Sequence, residues 1–384
     1  MTEYDCIIIG AGSVGVPTAL AMGKEGLKTL VLDSAPSVGC GDNKHAIGGI
    51  RATHSHKAKI WVCQRSIEIF SKWEEKFGDD IEWIQGGYSF VAYDEAHEQM
   101  LKETVKFQKQ YGLKIDFLQP EKIMELIPGI NRNGLLGGTF SPKDGNASPL
   151  RAINAFYRQA QNYGVNFKFK EKVIDIKTNN KKKILSVKTL KDNHKSQYII
   201  NAAGAQARDI ARMIDSNVPV IPDSHEAGIT EPVKRFFSPM IVDIRPSEGS
   251  TNYYFYQNRE GKIIFCLTPH PLIVGTDRRE TSVFLPQIAK RMINLLPRLK
   301  SIRVRRTWRG LYPMTPDGCP IVGPINEIEG YINAVGMCGQ GYMLGPGIGE
   351  VIARLVAKKN TTKDKEILKE FSLNRDFAKE EKLK

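Results

Sequence analysis

The sequence lacks the long apolar runs from which membrane-spanning helices are built. No stretch approaches the ~18 consecutive apolar residues of such a helix, and the apolar segment 351–357 is far too short. A buried-strand pattern begins within a few residues of Met1, which leaves no room for a signal peptide. We therefore expect no membrane span and a cytoplasmic location.

Paired cysteines and nucleic-acid motifs are also missing. The six cysteines contain no C-x-x-C pair, which argues against a zinc or iron–sulfur site, so no metal is expected. Lysine and arginine number 55 against 42 acidic residues, a net charge of +13, yet no basic stripe is interleaved with aromatic residues. The absence of such a stripe argues against binding to nucleic acid. The positive net charge favours anionic substrates or an acidic electron-transfer partner.

The composition that remains is that of a soluble globular protein, with 41% apolar and 25% charged residues. A chain of 384 residues exceeds what one compact core usually holds, so we expect two domains. The residues after 357 are rich in Lys, Glu and Asp, which predicts a solvated helix or a partly disordered tail.

The opening residues carry the strongest pattern in the chain. Residues 6–9 form a short apolar, β-branched run that predicts a buried parallel strand. Gly10, Gly12 and Gly15 complete a G-x-G-x-x-G at the start of a predicted helix, and a second apolar run ends at Asp33, about twenty residues further on. Such glycines allow a tight turn, close approach to a pyrophosphate and helix–strand packing, while the acid binds ribose hydroxyls. The pattern predicts a dinucleotide-binding unit.

Related patterns return later in the chain. Residues 198–204 predict a second buried strand that ends in small residues, where backbone can approach a nucleotide closely. The glycine-rich segment 336–347 precedes a helix predicted from about Ile348. Between them, residues 217–309 are β-rich, with a probable hairpin over 250–267. This interleaving indicates two spatial domains built from discontinuous pieces of chain.

Six motifs, in order along nearly the whole chain, give a family resemblance. They are GAGSVG (10–15, with Asp33), GGIR (48–51), SPKDGNASP (141–149), INAAGAQA (200–207), WRGLYPMTPDGCPIVGP (308–324) and GMCGQGYMLGPGIGE (336–350). With them the sequence resembles the D-amino-acid oxidase-like superfamily of FAD-dependent amine oxidoreductases. The most similar groups are glycine oxidase, the sarcosine oxidase β subunit and the β subunit of dye-linked proline dehydrogenase.

The resemblance implies an α/β fold. A Rossmann-type, GR2-like FAD-binding domain would be combined with an interleaved antiparallel β-sheet substrate domain. We expect residues 1–80, 141–215 and 310–384 to form the FAD-binding domain, and residues 81–140 and 216–309 to form the substrate, or cap, domain.

The resemblance also implies FAD as cofactor, which we expect to be non-covalent because Gly310 stands where monomeric sarcosine oxidases carry the linking cysteine. The residues expected to bind it are Gly10, Gly12, Ser13, Val14, Gly15, Asp33, Ser34, His45, Gly48, Gly49, Ile50, Val173, Ala203, Gly204, Gly310, Gly339, Gln340, Gly341, Tyr342, Met343 and Leu344. Val173 would meet the adenine through its backbone.

The family implies oxidation of an amine by hydride transfer from carbon to flavin N5, giving an imine that hydrolyses. An amino-acid substrate needs a cation for its carboxylate, preferably arginine. Arg51 is the first candidate, because its motif matches a loop that flanks the flavin ring in relatives, and Arg309 is the second. Tyr254 and Tyr256, which share one face of the predicted hairpin, are candidates to bind the carboxylate or cap the pocket.

The sequence departs from the glycine oxidase pattern at one informative position. Tyr312 stands where glycine oxidase-like sequences carry the carboxylate-binding arginine, which argues against a glycine oxidase or D-amino-acid oxidase. The expected substrate is a small amino acid or a secondary or N-methyl amine that is sarcosine-, proline- or glycine-like. No lysine can be placed beside flavin N5 to activate oxygen, so oxidase and dehydrogenase both remain open.

Two other functions also remain open. One is a 2-hydroxy-acid dehydrogenase, which needs a base such as His45, His54 or His56. The other is an electron-relay flavoprotein subunit of a larger complex. The partners expected beside the substrate are an electron-acceptor subunit or further copies of this chain.

Overall fold

The computed structural model describes residues 3–383, which form two large sheets, one small sheet and their covering helices. The strands are β1 (Glu3–Ile9), β2 (Thr29–Asp33), β3 (Gly49–Ile50), β4 (Tyr88–Ala92), β5 (Asp116–Leu118), β6 (Gly137–Phe140), β7 (Gly145–Asn146), β8 (Asn166–Phe169), β9 (Val173–Thr178), β10 (Ile184–Thr189), β11 (Asn193–Asn201), β12 (Ile221–Pro232), β13 (Met240–Asp243), β14 (Ser250–Gln257), β15 (Lys262–Pro269), β16 (Val304–Met314), β17 (Ile321–Pro324) and β18 (Tyr331–Val335). The α-helices are α1 (Gly15–Lys24), α2 (Lys57–Ser71), α3 (Trp73–Phe77), α4 (Glu95–Gln110), α5 (Pro120–Leu126), α6 (Pro149–Asn162), α7 (Ala207–Arg212), α8 (Phe284–Leu295), α9 (Gly341–Val356) and α10 (Thr362–Glu370).

The first large sheet is built around β1. Its order is β17-β18-β11-β1-β2-β8, with β10 paired to β11 and β9 paired to β10, and β1 runs parallel to both of its neighbours. Side chains of β1 alternate between two cores: Cys6 and Ile8 face the core that includes α1 and α9, while Ile7 and Ile9 face β9 and β10. Burial on both faces explains why residues 6–9 are apolar without alternation.

The second large sheet is mostly antiparallel. Its order is β16-β12-β15-β14-β13-β4-β6-β5, and β14 pairs with β15 as the predicted hairpin. On one face, Phe255 and Phe265 pack in a core with Ile288 of α8. Tyr254 and Tyr256 have the opposite alternation and lie on the other face. The predicted α/β class, with a Rossmann-type sheet and an interleaved antiparallel sheet, is therefore confirmed.

The predicted division into domains follows the strands closely. Strands of the first sheet come from the ranges assigned to the FAD-binding domain, and those of the second sheet come mainly from 81–140 and 216–309. Strand β16 crosses the expected boundary and continues to Met314 within the second sheet. The residue limits of the two domains remain a prediction.

The prediction of a solvated helix in the tail is confirmed by α10, in which only Asp364 and Ile367 are buried. Thr361 and Asp364 form a capping box at the start of α10. Beyond that helix, Phe371 is fully buried, and Glu381 and Leu383 are also buried. Across residues 3–383, moreover, none of the helices has the length and apolar character needed to cross a bilayer.

Candidate active site: a cavity between the two sheets

A cavity of about 660 Å³ is lined by residues of both large sheets. We call one end, at Gly10, Gly12 and Asp33, the glycine end, and the other, at His225 and Tyr254 of the second sheet, the aromatic end. The carboxyl ends of the parallel strands β1, β2 and β11 open onto the cavity. This is the edge at which open α/β sheets bind ligands.

Three glycines shape the glycine end by different means. Gly10 has φ +112°, and a Cβ there would lie 2.4 Å from the carbonyl oxygen of Ala202. A Cβ at Gly15 would lie 1.9 Å from the carbonyl oxygen of Gly10, so a side chain would force α1 away from the strand. A Cβ at Gly12 would meet nothing within 4 Å. Gly10 and Gly15 therefore serve packing, whereas Gly12 leaves open space beside the first turn of α1.

Asp33 is held in place at the end of β2. Its Oδ2 accepts a hydrogen bond from the backbone N–H of Ala11 at 2.7 Å, and its Oδ1 accepts one from Ala35 at 2.8 Å. The carboxylate thus ties the glycine loop to the second strand while lining the cavity.

Other predicted residues complete the glycine end and line the cavity. Ser13 and Val14 precede α1, where the first helical N–H groups have no partner within the helix. The remaining members of this group are Ser34, Val173, Ala203 and Gly204.

The middle of the cavity is formed by the loop after β2 and by β16. His45 Nδ1 lies 3.2 Å from the carbonyl oxygen of Gly41, and the His45 carbonyl accepts a hydrogen bond from Trp308 Nε1 at 2.8 Å. A Cβ at Gly310 would lie 2.9 Å from the Cβ of His45. Burial, with the nearby Arg278, lowers the pKa of His45 to about 4. His45 is therefore neutral at physiological pH.

Two glycine-rich segments form another part of the cavity wall. Gly48 and Gly49 line the cavity, and a Cβ at Gly49 would lie 2.0 Å from the Tyr88 hydroxyl oxygen. Gly339 has φ +75°, and a Cβ there would lie 2.1 Å from the ring of Tyr312. Absence of side chains at these positions lets the two tyrosines pack directly onto backbone.

The first turn of α9 also lines the cavity, through Gly341, Tyr342 and Met343. Its unpaired N–H groups and partial positive charge favour a negatively charged neighbour. The buried hydroxyl of Tyr342 has no hydrogen-bond partner within the described chain, and burial raises the pKa of this phenol well above its ordinary value.

Aromatic and polar side chains from four adjacent strands form the aromatic end. The ring of His225 stacks on that of Tyr312, with centroids 3.7 Å apart and planes 14° from parallel. The Tyr312 hydroxyl lies 2.7 Å from the hydroxyl of Tyr254 and 3.8 Å from Cys266 Sγ. All four residues line the cavity.

His225 is the cation of this end. Its Nε2 lies 3.4 Å from Oδ1 of Asp223, which is 2% exposed. Burial disfavours the imidazolium, but contacts with Asp223 and Cys266 outweigh it and raise the pKa of His225 to about 9. The ring is therefore protonated at neutral pH.

Neither arginine predicted to bind a carboxylate lies on the cavity. Arg51 is buried behind the wall, where its guanidinium donates to the carbonyl oxygens of Thr53 and, at 2.5 Å, Leu383. Arg309 donates to the carbonyl oxygen of Arg279 at 2.8 Å. The structure does not bring either guanidinium to the cavity: Arg51 is held by backbone carbonyls, and Arg309 has one carbonyl partner, while its Nε and Nη2 have none within residues 3–383. Carboxylate binding by either arginine stays a prediction.

Tyr256 also lies outside the cavity lining, and its hydroxyl donates to the carbonyl oxygen of Ile47. Of the predicted hairpin pair, only Tyr254 reaches the cavity. Four residues predicted to bind cofactor likewise lie behind the wall as packing or backbone neighbours of lining residues: Gly15, Ile50, Gln340 and Leu344.

Asp223, His225 and Cys266 were not predicted as site residues. The sequence held one usable signal, since residues 223, 225 and 227 alternate on one face of a β-rich segment and two of them are ionisable. Ionisable side chains on a buried strand are uncommon unless they are paired or functional.

The comparisons with known proteins agree with this geometry. The sequence profile described as "DAO: FAD dependent oxidoreductase" matches residues 5–355. The chain therefore belongs to the DAO family of FAD-dependent oxidoreductases.

Similar proteins include mitochondrial dimethylglycine dehydrogenase of Mus musculus, 27% identical over 371 residues, which are 91% of this chain and 42% of that protein. Glycine oxidase of Geobacillus kaustophilus is 24% identical over 386 aligned positions, and the alignment covers 98% of each chain. The crystal structure of L-proline dehydrogenase from P. horikoshii has a TM-score of 0.90 and 29% identity, covering 97% of each chain. The chain spans about two fifths of the length of the mitochondrial dehydrogenases it matches.

The residues present fit FAD. The open space at Gly12, the oriented carboxylate of Asp33 and the first turn of α1 suit a ribose and a pyrophosphate. At the other end, the buried Tyr342 hydroxyl and Nδ1 of His225 lack hydrogen-bond partners within residues 3–383, while His225 Nε2 lies 3.4 Å from Asp223 Oδ1. Buried polar groups are normally paired, so these atoms indicate that bound molecules complete the site.

Proposed function

We propose that this protein oxidises the C–N bond of a small secondary or N-methylated amino acid, such as sarcosine or proline. The observation that carries the proposal is the geometry of the aromatic end, where His225 lies 3.4 Å from Asp223, which favours its charged form, and stacks on Tyr312 beside the hydroxyl of Tyr254. Relatives named as dimethylglycine, sarcosine and L-proline dehydrogenases support the same substrate class.

His225 would hold the substrate carboxylate in place of an arginine. His225 is the ionised cation at the aromatic end. Lys172 also lines the cavity, but it lies beside Val173 at the glycine end. A charged hydrogen bond to a carboxylate in a buried site contributes about 1.5–3 kcal/mol. The hydroxyls of Tyr254 and Tyr312 are hydrogen-bonded to each other, which leaves one O–H of the pair free to donate to the second carboxylate oxygen.

The same charge would assist the amine. Bound FAD supplies the hydride acceptor, and an amine must be neutral to give up hydride from its α-carbon. A cation nearby disfavours the ammonium form, so His225 favours loss of the amine proton as well as binding of the carboxylate. The first turn of α9, which also lines the cavity, would stabilise negative charge there.

We place the protein among the dehydrogenases. Lys172 is the lysine that the described residues bring to the cavity, and it lies at the end remote from His225. Without an ammonium group beside the reacting atoms, oxygen lacks an electrostatic partner for its reduction. Electrons would then pass to another subunit or a diffusible acceptor, and the pI of about 9.3 favours an acidic one. A cytoplasmic location also remains part of this proposal.

The test is anaerobic reduction of the flavin in the purified protein by a panel of amino acids. Sarcosine, N,N-dimethylglycine or L-proline should bleach the flavin absorbance in the wild type. The variant His225→Gln, which keeps a ring-sized polar side chain without the charge, should need about 10- to 100-fold more substrate for the same rate. Failure of every amine to reduce the flavin would refute the proposal.

A 2-hydroxy-acid dehydrogenase is the second candidate, because one neutral histidine, His45, does line the cavity. His54 and His56, the other two bases considered for that chemistry, lie outside it. Bleaching by 2-hydroxyglutarate or lactate, with none by amines, would decide for this function. A relay subunit would show no bleaching by either class and would be reduced only by a partner flavoprotein.

A further inference from the structure

Three basic side chains lie buried behind the cavity wall, in the segment that follows β3. Arg51 is 6% exposed, and His54 and Lys59 are 0% exposed. Burial, with Arg51 and Lys59 close by, lowers the pKa of His54 well below its ordinary value, so this imidazole is neutral. The cations are therefore Arg51 and Lys59. Buried cations are very costly unless a counter-ion accompanies them.

The carboxylate that pairs with Lys59 belongs to Glu381, 326 residues along the chain from Ser55. Its Oε2 lies 3.1 Å from Lys59 Nζ and 3.9 Å from His54 Nδ1. Its Oε1 accepts hydrogen bonds from the backbone N–H and the hydroxyl of Ser55, at 2.8 and 2.6 Å. We call Arg51, His54, Ser55 and Lys59 the basic pocket. His54, Ser55 and Lys59 surround the carboxylate, and Arg51 Nη1 lies 3.3 Å from His54 Nδ1.

A second acid nearby does not replace Glu381. Asp144 Oδ1 accepts a hydrogen bond from the N–H of Ala52 at 3.1 Å. Burial raises the pKa of Asp144 to about 7, so this group carries only part of a negative charge at neutral pH. The full charge in the basic pocket therefore comes from Glu381.

The segment that carries Glu381 is anchored on both sides of it. Arg375 binds Asp317 through Nε at 2.7 Å and Nη2 at 2.9 Å, and the N–H of Glu381 donates to the carbonyl oxygen of Asp317 at 2.9 Å. Beyond it, the carbonyl oxygen of Leu383 accepts from Arg51. The segment thus delivers its carboxylate to a fixed position.

The basic pocket adjoins two walls of the cavity. Gly49, which lines the cavity, is two residues from Arg51. Lys59 lies in α2, and Ser66 of the same helix accepts a hydrogen bond from the N–H of Gly347 in α9 at 3.0 Å. A change in the pocket therefore acts on backbone that lines the flavin cavity.

We infer that the basic pocket is a carboxylate-binding site, separate from the cavity, whose resident ligand is the tethered side chain of Glu381. The ligand class is a monocarboxylate, held by Lys59 and by the two donors of Ser55. Without that side chain, a free carboxylate of the size of acetate fits the vacated position and restores the charge balance. The pocket thereby ties the segment 375–383 to the cavity wall.

The test uses chemical rescue of the full-length, flavin-loaded protein. Glu381→Ala should lower the temperature of flavin release by about 10 °C, because it leaves a buried ammonium without its counter-ion. Acetate should recover part of this loss, whereas chloride at equal ionic strength should not. The wild type and Asp376→Asn, which alters an exposed acid of the same segment, should respond to both salts alike.

A double variant provides a second test in case Glu381→Ala is too unstable to purify. Lys59→Met combined with Glu381→Ala removes both members of the Lys59–Glu381 ion pair, so it should melt above Glu381→Ala and show no preference for acetate. A double variant that melts no higher than the single one, or an acetate effect equal to that of chloride in Glu381→Ala, would overturn the inference.

Discussion

At the scale of single residues, the charge of the aromatic end depends on a pair of side chains from one strand. His225 and Asp223 are two residues apart on β12, so both point to the same face of the sheet. The buried aspartate keeps the imidazole protonated against the cost of burial. A protonated histidine held this way can bind a carboxylate as an arginine does. Unlike arginine, it loses its charge when the pH rises above its pKa.

The pH dependence of catalysis tests that pair. With the pKa of His225 raised to about 9, the advantage of the wild type over His225→Gln in kcat/KM should be retained from neutral pH up to about 9 and shrink above it. Asp223→Asn removes the main stabiliser of the cation, so burial should bring the pKa of His225 below its ordinary value. At pH 7.5 the variant should then lose about 10- to 100-fold in kcat/KM, chiefly through KM.

The control is Asp209→Asn, which changes an exposed acid at the glycine end of the same cavity. It should leave the substrate KM and the pH profile unchanged. If the Asp223→Asn enzyme had the wild-type pH profile, the proposal that His225 binds the substrate would be wrong.

Two tyrosines of one strand provide a matched comparison. Tyr254 lines the cavity and touches Tyr312, whereas Tyr256, on the same face, donates to the carbonyl oxygen of Ile47. Tyr254→Phe should raise the substrate KM by about 5- to 10-fold through loss of one hydrogen bond. Tyr256→Phe should lower the melting temperature and leave KM near the wild-type value. Steady-state kinetics and thermal melts on both variants decide, and equal KM values would contradict the assignment.

Sequence reasoning anticipated the placement of residues whose geometry is local. Gly10, Gly12 and Asp33 lie within one strand–helix–strand unit and line the cavity, so their geometry follows from short-range spacing. It did not anticipate the burial of Arg51 away from the cavity, because the partners that hold its guanidinium include Leu383, more than three hundred residues away. His225 was overlooked for the same reason, since its neighbours Tyr312 and Tyr254 arrive from other strands.

At the scale of elements, helix starts and glycines set the shape of the cavity. Helix α9 begins at Gly341 rather than near Ile348, although Pro346 lies inside it. Proline and glycine disfavour helix in isolation, but a Cβ at Gly345 would lie 1.9 Å from the carbonyl oxygen of Ser13. Contact between α9 and the glycine loop therefore selects small residues there, a tertiary effect that single-sequence propensity does not contain.

Two alanine substitutions separate cofactor binding from packing. At Gly12 an added Cβ meets no protein atom within 4 Å, so Gly12→Ala should fold normally while it obstructs the approach of the pyrophosphate. Its Kd for FAD should rise by about 10-fold or more, for a loss of 1–2 kcal/mol. At Gly15 the Cβ would lie 1.9 Å from backbone, so Gly15→Ala should destabilise the protein whether or not FAD is present.

The measurements are FAD titration of the apoprotein by fluorescence quenching and thermal melts of both forms. A Gly12→Ala protein that melts like Gly15→Ala without FAD would show that the open space is not specific to the cofactor.

At the scale of the whole molecule, charge and acceptor are linked. The net charge of +13 attracts anions over several ångströms at low ionic strength. A dehydrogenase must meet its acceptor by diffusion or in a complex, so this field acts on the second half-reaction as well as on the amino acid.

Turnover with paired artificial acceptors tests both the dehydrogenase assignment and the role of charge. With sarcosine or proline as substrate, turnover with oxygen alone should be at least about 100-fold slower than with a dye, since no lysine of residues 3–383 reaches the aromatic end. Ferricyanide, an anion, should lose rate as salt is added, whereas the cation ferrocenium should gain. Because each acceptor is compared with itself across ionic strength, their different potentials do not matter. Rapid turnover with oxygen would show that the protein is an oxidase. Identical dependence of the rate on salt for the two acceptors would show that the net charge plays no part in acceptor recognition.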